Sequence, residues 1–501
     1  ENLLFEINHA ILGDGGAMSF DTATDVVVNN VQCTGNHAKN GGCLSVTSDN
    51  ELGAPSSIIV NDLISTSDVA GEHGGSMYVT RSSKIKINNS SSTNSTGFGA
   101  IYMNGATVVM SEMFVVHAKC PADAAAIVCV SSNLKINENS DISKTQGRGL
   151  KSIGCQVILK DTSFRHNRLI VDSGEVSDKD ANGAGMLLVF YSELTVSSST
   201  FESNTADGDG GGIMCDECIT FSIENSTFRN NQAGRGAGLS IYKAPSESSI
   251  ASTHFLNNIA VNGGGGAIYR VGQVVPDIDD VLFDGNMALY GKNRATEPFK
   301  ATVHVNAGSR SDSSDTNIAI TTTNIANNAP ISSIVVNLLD RFNQTVKDLT
   351  APIVVAASSK TPDVSLLGAA EPTVYHGETG DAIFNNTLTH ASKPGNYLIH
   401  FSATVGGGSA ALKTQLQVVV AECTSGQELK SLVGGGYQCQ DCAAGAKGDG
   451  DTCVQCIPGR FSPVVKSDTC SLCLPGQSQS LSGQSSCIDC IAGKHSADAG
   501  S

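Results

Sequence analysis

One phrase of sequence recurs at a near-constant interval between residues 199 and 290, and it limits what this chain can fold into. Ser199-Thr200-Phe201 leads through Asn204 and Ala206 to Gly210-Gly211-Gly212-Ile213, and Ser226-Thr227-Phe228 leads through Asn231 and Ala233 to Gly236-Ala237-Gly238-Leu239. Thr253-His254-Phe255 leads through Asn258 and Ala260 to Gly265-Gly266-Ala267-Ile268, and Phe283 with Asn286 and Ala288 closes the series. The phenylalanines step by 27, 27 and 28 residues. A period of roughly 20–50 residues marks a stack of like units, none of which can bury its apolar face alone.

The apolar residue after the glycines can be followed to the start of the chain, at Met18, Leu44, Met77, Ile101, Ile127, Ile153, Met186, Ile213, Leu239 and Ile268. The Phe anchor is fainter: Phe5-Asn8-Ala10, Cys33-Asn36-Ala38, Phe114 with Ala118 but no Asn, and Phe164 with Asn167. Steps of unequal length are expected where insertions sit in turns, and residues 170–182 read as one exposed insertion. A coil of this length holds three short strands, each pairing in parallel with its equivalent about 4.8 Å away. Phe164, Phe201, Phe228, Phe255 and Phe283 are expected to stack inward. A Val/Ile row (Val196, Ile223, Val281) and the Ile/Leu/Met row should fill the rest of the interior. Asn167, Asn204, Asn231, Asn258 and Asn286 are expected to take the left-handed backbone of a sharp turn and to bond coil to coil through their amides. Glycine serves where the backbone turns with positive φ or passes too close for a Cβ. Phe5-Asn8-Ala10 places Glu1 inside a coil, so the stack is expected to continue upstream.

These motifs resemble the Gly-Gly-Ala-Ile and Phe-x-x-Asn repeats of bacterial polymorphic outer-membrane proteins, and more broadly the pectin-lyase-like right-handed parallel β-helix. The resemblance covers residues 1–295 and is strongest over 201–288. It implies an all-β chain. No segment after residue 295 alternates as the strands of an outer-membrane barrel would, which points to a secreted eukaryotic relative of protist or algal type.

Residues 296–421 lose the period. Apolar runs at 334–339, 352–357, 387–388, 396–403 and 413–420 suit a sandwich of about seven strands. The stretch from Asn337 to Thr345, with the turn Pro394-Gly395-Asn396-Tyr397, resembles filamin-type or invasin-type immunoglobulin-like repeats.

Residues 422–501 hold nine of the 16 cysteines, with Cys-x-x-Cys pairs at Cys439/Cys442, Cys453/Cys456, Cys470/Cys473 and Cys487/Cys490. Pro458-Gly459 and Pro475-Gly476 follow two of the pairs. Zinc ribbons use such pairs, but they belong mostly to reducing compartments. The run is similar to the cysteine-rich repeats of ephrin-receptor and EGF-like type. That resemblance implies the bridges Cys423–Cys439, Cys442–Cys453, Cys456–Cys470 and Cys473–Cys487, leaving Cys490 for a module cut short at Ser501.

Dense cysteine implies an oxidising, extracellular setting. Sequons at Asn88, Asn89, Asn94, Asn225, Asn343 and Asn385 fit a secreted glycoprotein bearing N-linked glycans. Cys129 and Cys155 each lie two residues after an anchor, Ile127 and Ile153, so they are expected to bridge adjacent coils. Cys33 with Cys43 and Cys215 with Cys218 are local candidates, and Cys120 is either free or displaces one of them. No apolar run approaches the roughly 18–20 residues that span a bilayer. A net charge of −17 argues against a nucleic-acid partner.

Parallel β-helices often act on acidic polysaccharides, through clustered aspartates with a His or Arg. The chain lacks the Asn-Thr-Asp, Gly-His-Gly and Arg-Ile-Lys strings of polygalacturonases, any His-Glu-x-x-His or Gly-x-Ser-x-Gly, and a complete phosphate-binding glycine motif. No catalytic, cofactor or metal residue is assigned. Calcium stays open at Asp207/Asp209 and at residues 277–280, where turn-forming Asp is favoured anyway. The expectation is a non-enzymatic extracellular structural glycoprotein, a subunit of a cell-surface filament or an adhesin. Its partners would be copies of itself, other extracellular structural proteins, and glycans. The alternatives are a polysaccharide lyase or hydrolase and a receptor ectodomain.

Overall fold

Apolar side chains at alternate positions of short segments give each strand one face to cover, and the first part of this chain covers it by coiling on itself. The computed structural model describes residues 3–21, 25–47, 57–81, 84–170, 181–243, 248–273, 276–305, 320–325, 331–349, 352–359, 365–367, 372–390, 393–405, 411–433, 437–492, 494 and 498–499. Every described element is a β-strand. Contacts divide the chain into one unit of Glu1–Pro298 with Asp340–Thr350, and another of Phe299–Leu339 with Ala351–Ser501.

The first unit is a parallel β-solenoid. Eleven strands, from Met18–Asp21 to Arg294–Thr296, stack into one sheet. A 17-stranded sheet holds Leu3–Glu6 and the segments that follow the first ten of them, long in early coils (Lys84–Thr93) and split in later ones (Glu193–Ser197, Thr200–Glu202). Short strands such as Thr205–Ala206 and Gln232–Ala233 make the third wall. Leu194, Val196, Phe201, Ala206, Ile213 and Cys215 point inward from one coil. Phe221, Ile223, Phe228, Ala233, Leu239 and Ile241 do so from the next, and none of the twelve is more than 3% exposed.

Pairing partners fix the rows and correct three expectations. The residue level with Ile127 is Leu150, which pairs onward with Met186, whereas Ile153 pairs with Val130 and Val189. This coil is short, and the isoleucine expected as its anchor, Ile153, lies three residues past the true one. The Phe row passes through Val115 and Ile142 to Phe164. Phe114 lies one residue off, on the outer face, and is 41% exposed. A slip of one residue reverses the face of a strand. Val196, Ile223 and Ile250 are followed by Ile278, so Ile278 takes the place given to Val281. Of the insertion at 170–182, residues 171–180 lie outside the described residues.

The glycine step has a steric cause. Gly210 lies at φ 72°, where a Cβ would meet the Ile213 carbonyl oxygen at 2.6 Å. At Gly212 a Cβ would stand 2.4 Å from the Gly238 oxygen and 2.9 Å from the Phe228 ring, so glycine lets one coil settle on the phenylalanine of the next.

The last coil is covered by a strap from later in the chain. Asp340 accepts the Thr296 backbone N–H at 3.2 Å, Gln344 donates to the Arg294 carbonyl at 2.9 Å, and Leu349 donates to the Asn262 carbonyl at 2.8 Å. Residues 340–350, expected inside the 296–421 module, thus belong with the solenoid.

In the second unit Lys300–Val305, Ile331–Leu339, Ala382–His390 and Ser365–Leu367 form an antiparallel sheet. Ile320–Ile325, Leu412–Val420, Gly395–Val405, Ile353–Ser359 and Thr373–Val374 form another, whose first pair is parallel. Phe384 of one sheet meets Phe401 of the other edge-on at 5.3 Å. The tail is a run of four short hairpins with little apolar core besides half-cystines: Cys442, Cys456 and Cys473 are at most 1% exposed.

Candidate functional site

The polar residues that recur most regularly point into the solenoid, where an unpaired amide would be heavily penalised. Their partners are each other. Asn204 donates its backbone N–H and its side-chain amide to Asn231 Oδ1, both at 3.0 Å. Asn231 does the same to Asn258 at 3.1 and 2.9 Å, Asn258 to Asn286 at 3.0 Å for both, and Asn167 to Asn204 at 3.1 and 3.0 Å. The second amide hydrogen goes to a carbonyl of the previous coil, as from Asn231 to Phe201 at 2.9 Å and from Asn258 to Phe228 at 2.9 Å. Each interior amide is therefore fully used.

These asparagines do not carry the left-handed backbone expected of them. That conformation falls one residue earlier, at His166 (φ 54°), Ser203 (54°), Asn230 (55°), Asn257 (54°) and Gly285 (64°). The turn bends at the preceding residue so that the ladder amide can aim along the stack.

Phe164, Phe201, Phe228, Phe255 and Phe283 stack beside the ladder with centroid separations of 5.1, 4.8, 4.8 and 5.6 Å. A third row is made of hydroxyls. Ser199 accepts from Thr162 N–H at 3.2 Å and Ser226 from Ser199 N–H at 3.1 Å, while each hydroxyl donates to the carbonyl two residues back. The Ser or Thr two residues before Phe164, Phe201, Phe228 and Phe255 was its signal in the sequence.

In the early coils the Asn row runs Asn8, Asn36, Asp68. Asn8 donates twice to Asn36 Oδ1, at 2.9 and 2.8 Å, and Asn36 donates twice to Asp68 Oδ1. Asp68 is fully buried, takes the Ser65 hydroxyl on Oδ2 at 2.6 Å, and has its pKa raised by that burial. The Cys33 and Cys43 sulfurs lie within 4.8 Å of its carboxylate, but they are joined to each other as a disulfide.

A second cluster is ionic. Arg235 donates to Asp209 at 2.9 and 3.1 Å, to Asp348 of the strap at 3.3 Å and to Tyr242 Oη at 2.7 Å, and lies 4.9 Å from the Tyr269 ring centroid. Burial works against its charge, but Tyr269, Asp209 and Tyr242 together hold the guanidinium firmly protonated. Burial, with Asp209 alongside, pushes the Tyr242 phenol well up. Asp209, considered for calcium, has this guanidinium as its counter-charge. Sequence could not assemble the group, because Arg235 occurs in one coil only and Asp348 comes from the strap.

The bridges are Cys33–Cys43, Cys129–Cys155, Cys215–Cys218, Cys423–Cys439, Cys442–Cys453, Cys456–Cys470 and Cys473–Cys487, with Cys120 and Cys490 free. Cys129 and Cys155 are not level, since Cys129 pairs with Ser152; Cys155 reaches it from the turn three residues later. Burial pushes the Cys120 thiol up to about 12. Of the sequons, Asn94, Asn225 and Asn343 are exposed turn residues with positive φ, Asn89 is exposed with positive φ inside the strand Lys84–Thr93, and Asn385 is exposed on a strand. Asn88 is half-buried and donates its amide to Asn61 at 2.7 Å. Among the described residues no helix is long and apolar enough to cross a membrane.

Residues 119–286 match the family model described as the right handed beta helix region. That stretch holds the best-formed Asn and Phe ladders, and with the pairing above it makes the solenoid a right-handed parallel β-helix. No curated protein matches the chain.

Proposed function

We propose that this chain is a non-enzymatic, extracellular structural glycoprotein that associates with copies of itself in a cell-surface filament, or serves as an adhesin. The observation that carries the reading is the Asn ladder, in which the most regular polar chemistry of the sequence is used for holding coil to coil. Seven disulfides suit an extracellular setting. The two-sheet module is read as immunoglobulin-like and the tail as EGF-like or ephrin-receptor-like spacers. At the coil ending in Arg294–Thr296 the strap already bonds the edge, so contacts between copies there would run along the sides of the coils. Electron microscopy of the native material should show ordered fibres or lateral arrays. Incubation with pectin, alginate and xylan should release no oligosaccharide, and release from any of them would reject the structural reading in favour of a lyase or hydrolase.

A further inference from the structure

Phe190 and Tyr191 occupy a turn between two sheets of the solenoid, and both have left-handed backbone, at φ 51° and 63°. A bulky residue at positive φ is a conformational outlier, with a strain of order 1–3 kcal/mol for each. Turn length does not impose it. Leu188 pairs with Cys215 and Glu193 with Thr220, so the turn of the next coil spans the same number of residues. There only Glu217 is left-handed.

Packing does not reward the strain either. Phe190 remains 63% exposed and Tyr191 69%. The strained turn therefore presents two aromatic rings to solvent, and strain of this kind clusters at ligand-binding sites.

Tyr191 borders a depression of about 330 Å³ that crosses three consecutive coils. Its walls are Ser131, Ser132 and Asn133 from the first coil, Gln156 from the second and Tyr191 with Glu193 from the third, with Gln156 donating to Glu193 at 3.0 Å. Hydroxyl, amide and carboxylate groups thus lie in a row beside the exposed ring of Tyr191. That combination suits a ring with an apolar C–H face and a rim of hydroxyls. Glu193 is the only charged wall residue, which disfavours an anionic ring.

We infer that this groove binds a neutral saccharide, with its C–H face on Tyr191 and its hydroxyls toward Asn133, Gln156 and Glu193. The inference is independent of the filament reading, because a solenoid can carry the groove whether or not it assembles.

Saturation-transfer NMR and calorimetry on the full chain would use neutral hexamers of β-linked glucose, mannose and N-acetylglucosamine, with a galacturonate hexamer as the anionic comparison. At least one neutral hexamer should bind and the galacturonate hexamer should not. Tyr191→Asn suits the left-handed backbone better than the native residue. This variant should weaken binding at least ten-fold while leaving the thermal midpoint equal or higher. Absence of binding by all three neutral probes, undiminished binding by Tyr191→Asn, or equal binding of the galacturonate hexamer would overturn the inference.

Discussion

Asn36 sets two hydrogens on a single oxygen of Asp68, its backbone N–H at 2.7 Å and its side-chain amide at 2.9 Å. The same geometry joins Asn204 to Asn231, so Asp68 stands where the ladder elsewhere has an amide. As an ionised carboxylate it can accept from Asn36 and Ser65 but can donate nothing onward.

Because burial raises the Asp68 pKa, the folded chain favours the neutral acid. Its contribution to stability is complete below the unfolded value of about 3.9 and is lost as pH rises through the folded value. The gap in thermal midpoint between Asp68→Asn and the native chain should therefore move in favour of the variant as pH is raised from about 3.5 through that window. A gap that stays constant over the range would show that Asp68 is not titrating in the fold.

Asn231→Ala should leave the Asn204 N–H, the Asn204 amide and the Phe201 carbonyl without their buried partner. Each buried orphan costs about 1–3 kcal/mol, so a loss of at least about 3 kcal/mol is expected in chemical denaturation of the solenoid. Asn230→Gly, one residue away, removes a left-handed non-glycine from an exposed position and should change stability by less than about 1 kcal/mol. The contrast separates the ladder residue from the bend residue.

The coil period, the inward phenylalanines and the ladder asparagines were legible because they repeat; four copies average out what any one copy leaves ambiguous. Legibility failed where repetition did. Between residues 115 and 150 the Phe row holds Val115 and Ile142 and the Asn row holds Ala118 and Thr145, so nothing in the local sequence pins the register. Arg235 and the strap escaped for a related reason, since a contact made once, between distant segments, leaves no periodic trace.

Register in those weak coils can be tested by charge. Val115→Asp would bury a carboxylate in the apolar interior, where Val115 has no exposure, and should lower stability by about 4 kcal/mol or more. Phe114→Asp lies on the outer face and should cost less than about 1.5 kcal/mol by the same denaturation measurement. The reverse order would mean that the strand Thr107–Val116 is displaced by one residue.

Arg235 offers the strongest test of the strap. Its guanidinium lies between Asp209 of its own stack and Asp348 of the returning segment, with Tyr242 and Tyr269 closing the group. Removing the cation alone, in Arg235→Met, leaves two largely buried carboxylates facing each other and should destabilise by about 3–5 kcal/mol. Removing all three charges together, with Asp209→Leu and Asp348→Leu added, should recover most of that loss, because a buried ion group is often no better than apolar residues of similar volume. Limited proteolysis gives a second readout. Cleavage within 340–349 should accelerate in the single variant, where the strap loses its charged anchor, and return toward the native rate in the triple variant. Unchanged cleavage in Arg235→Met would mean that the Asp340 and Gln344 bonds to the last coil hold the strap by themselves.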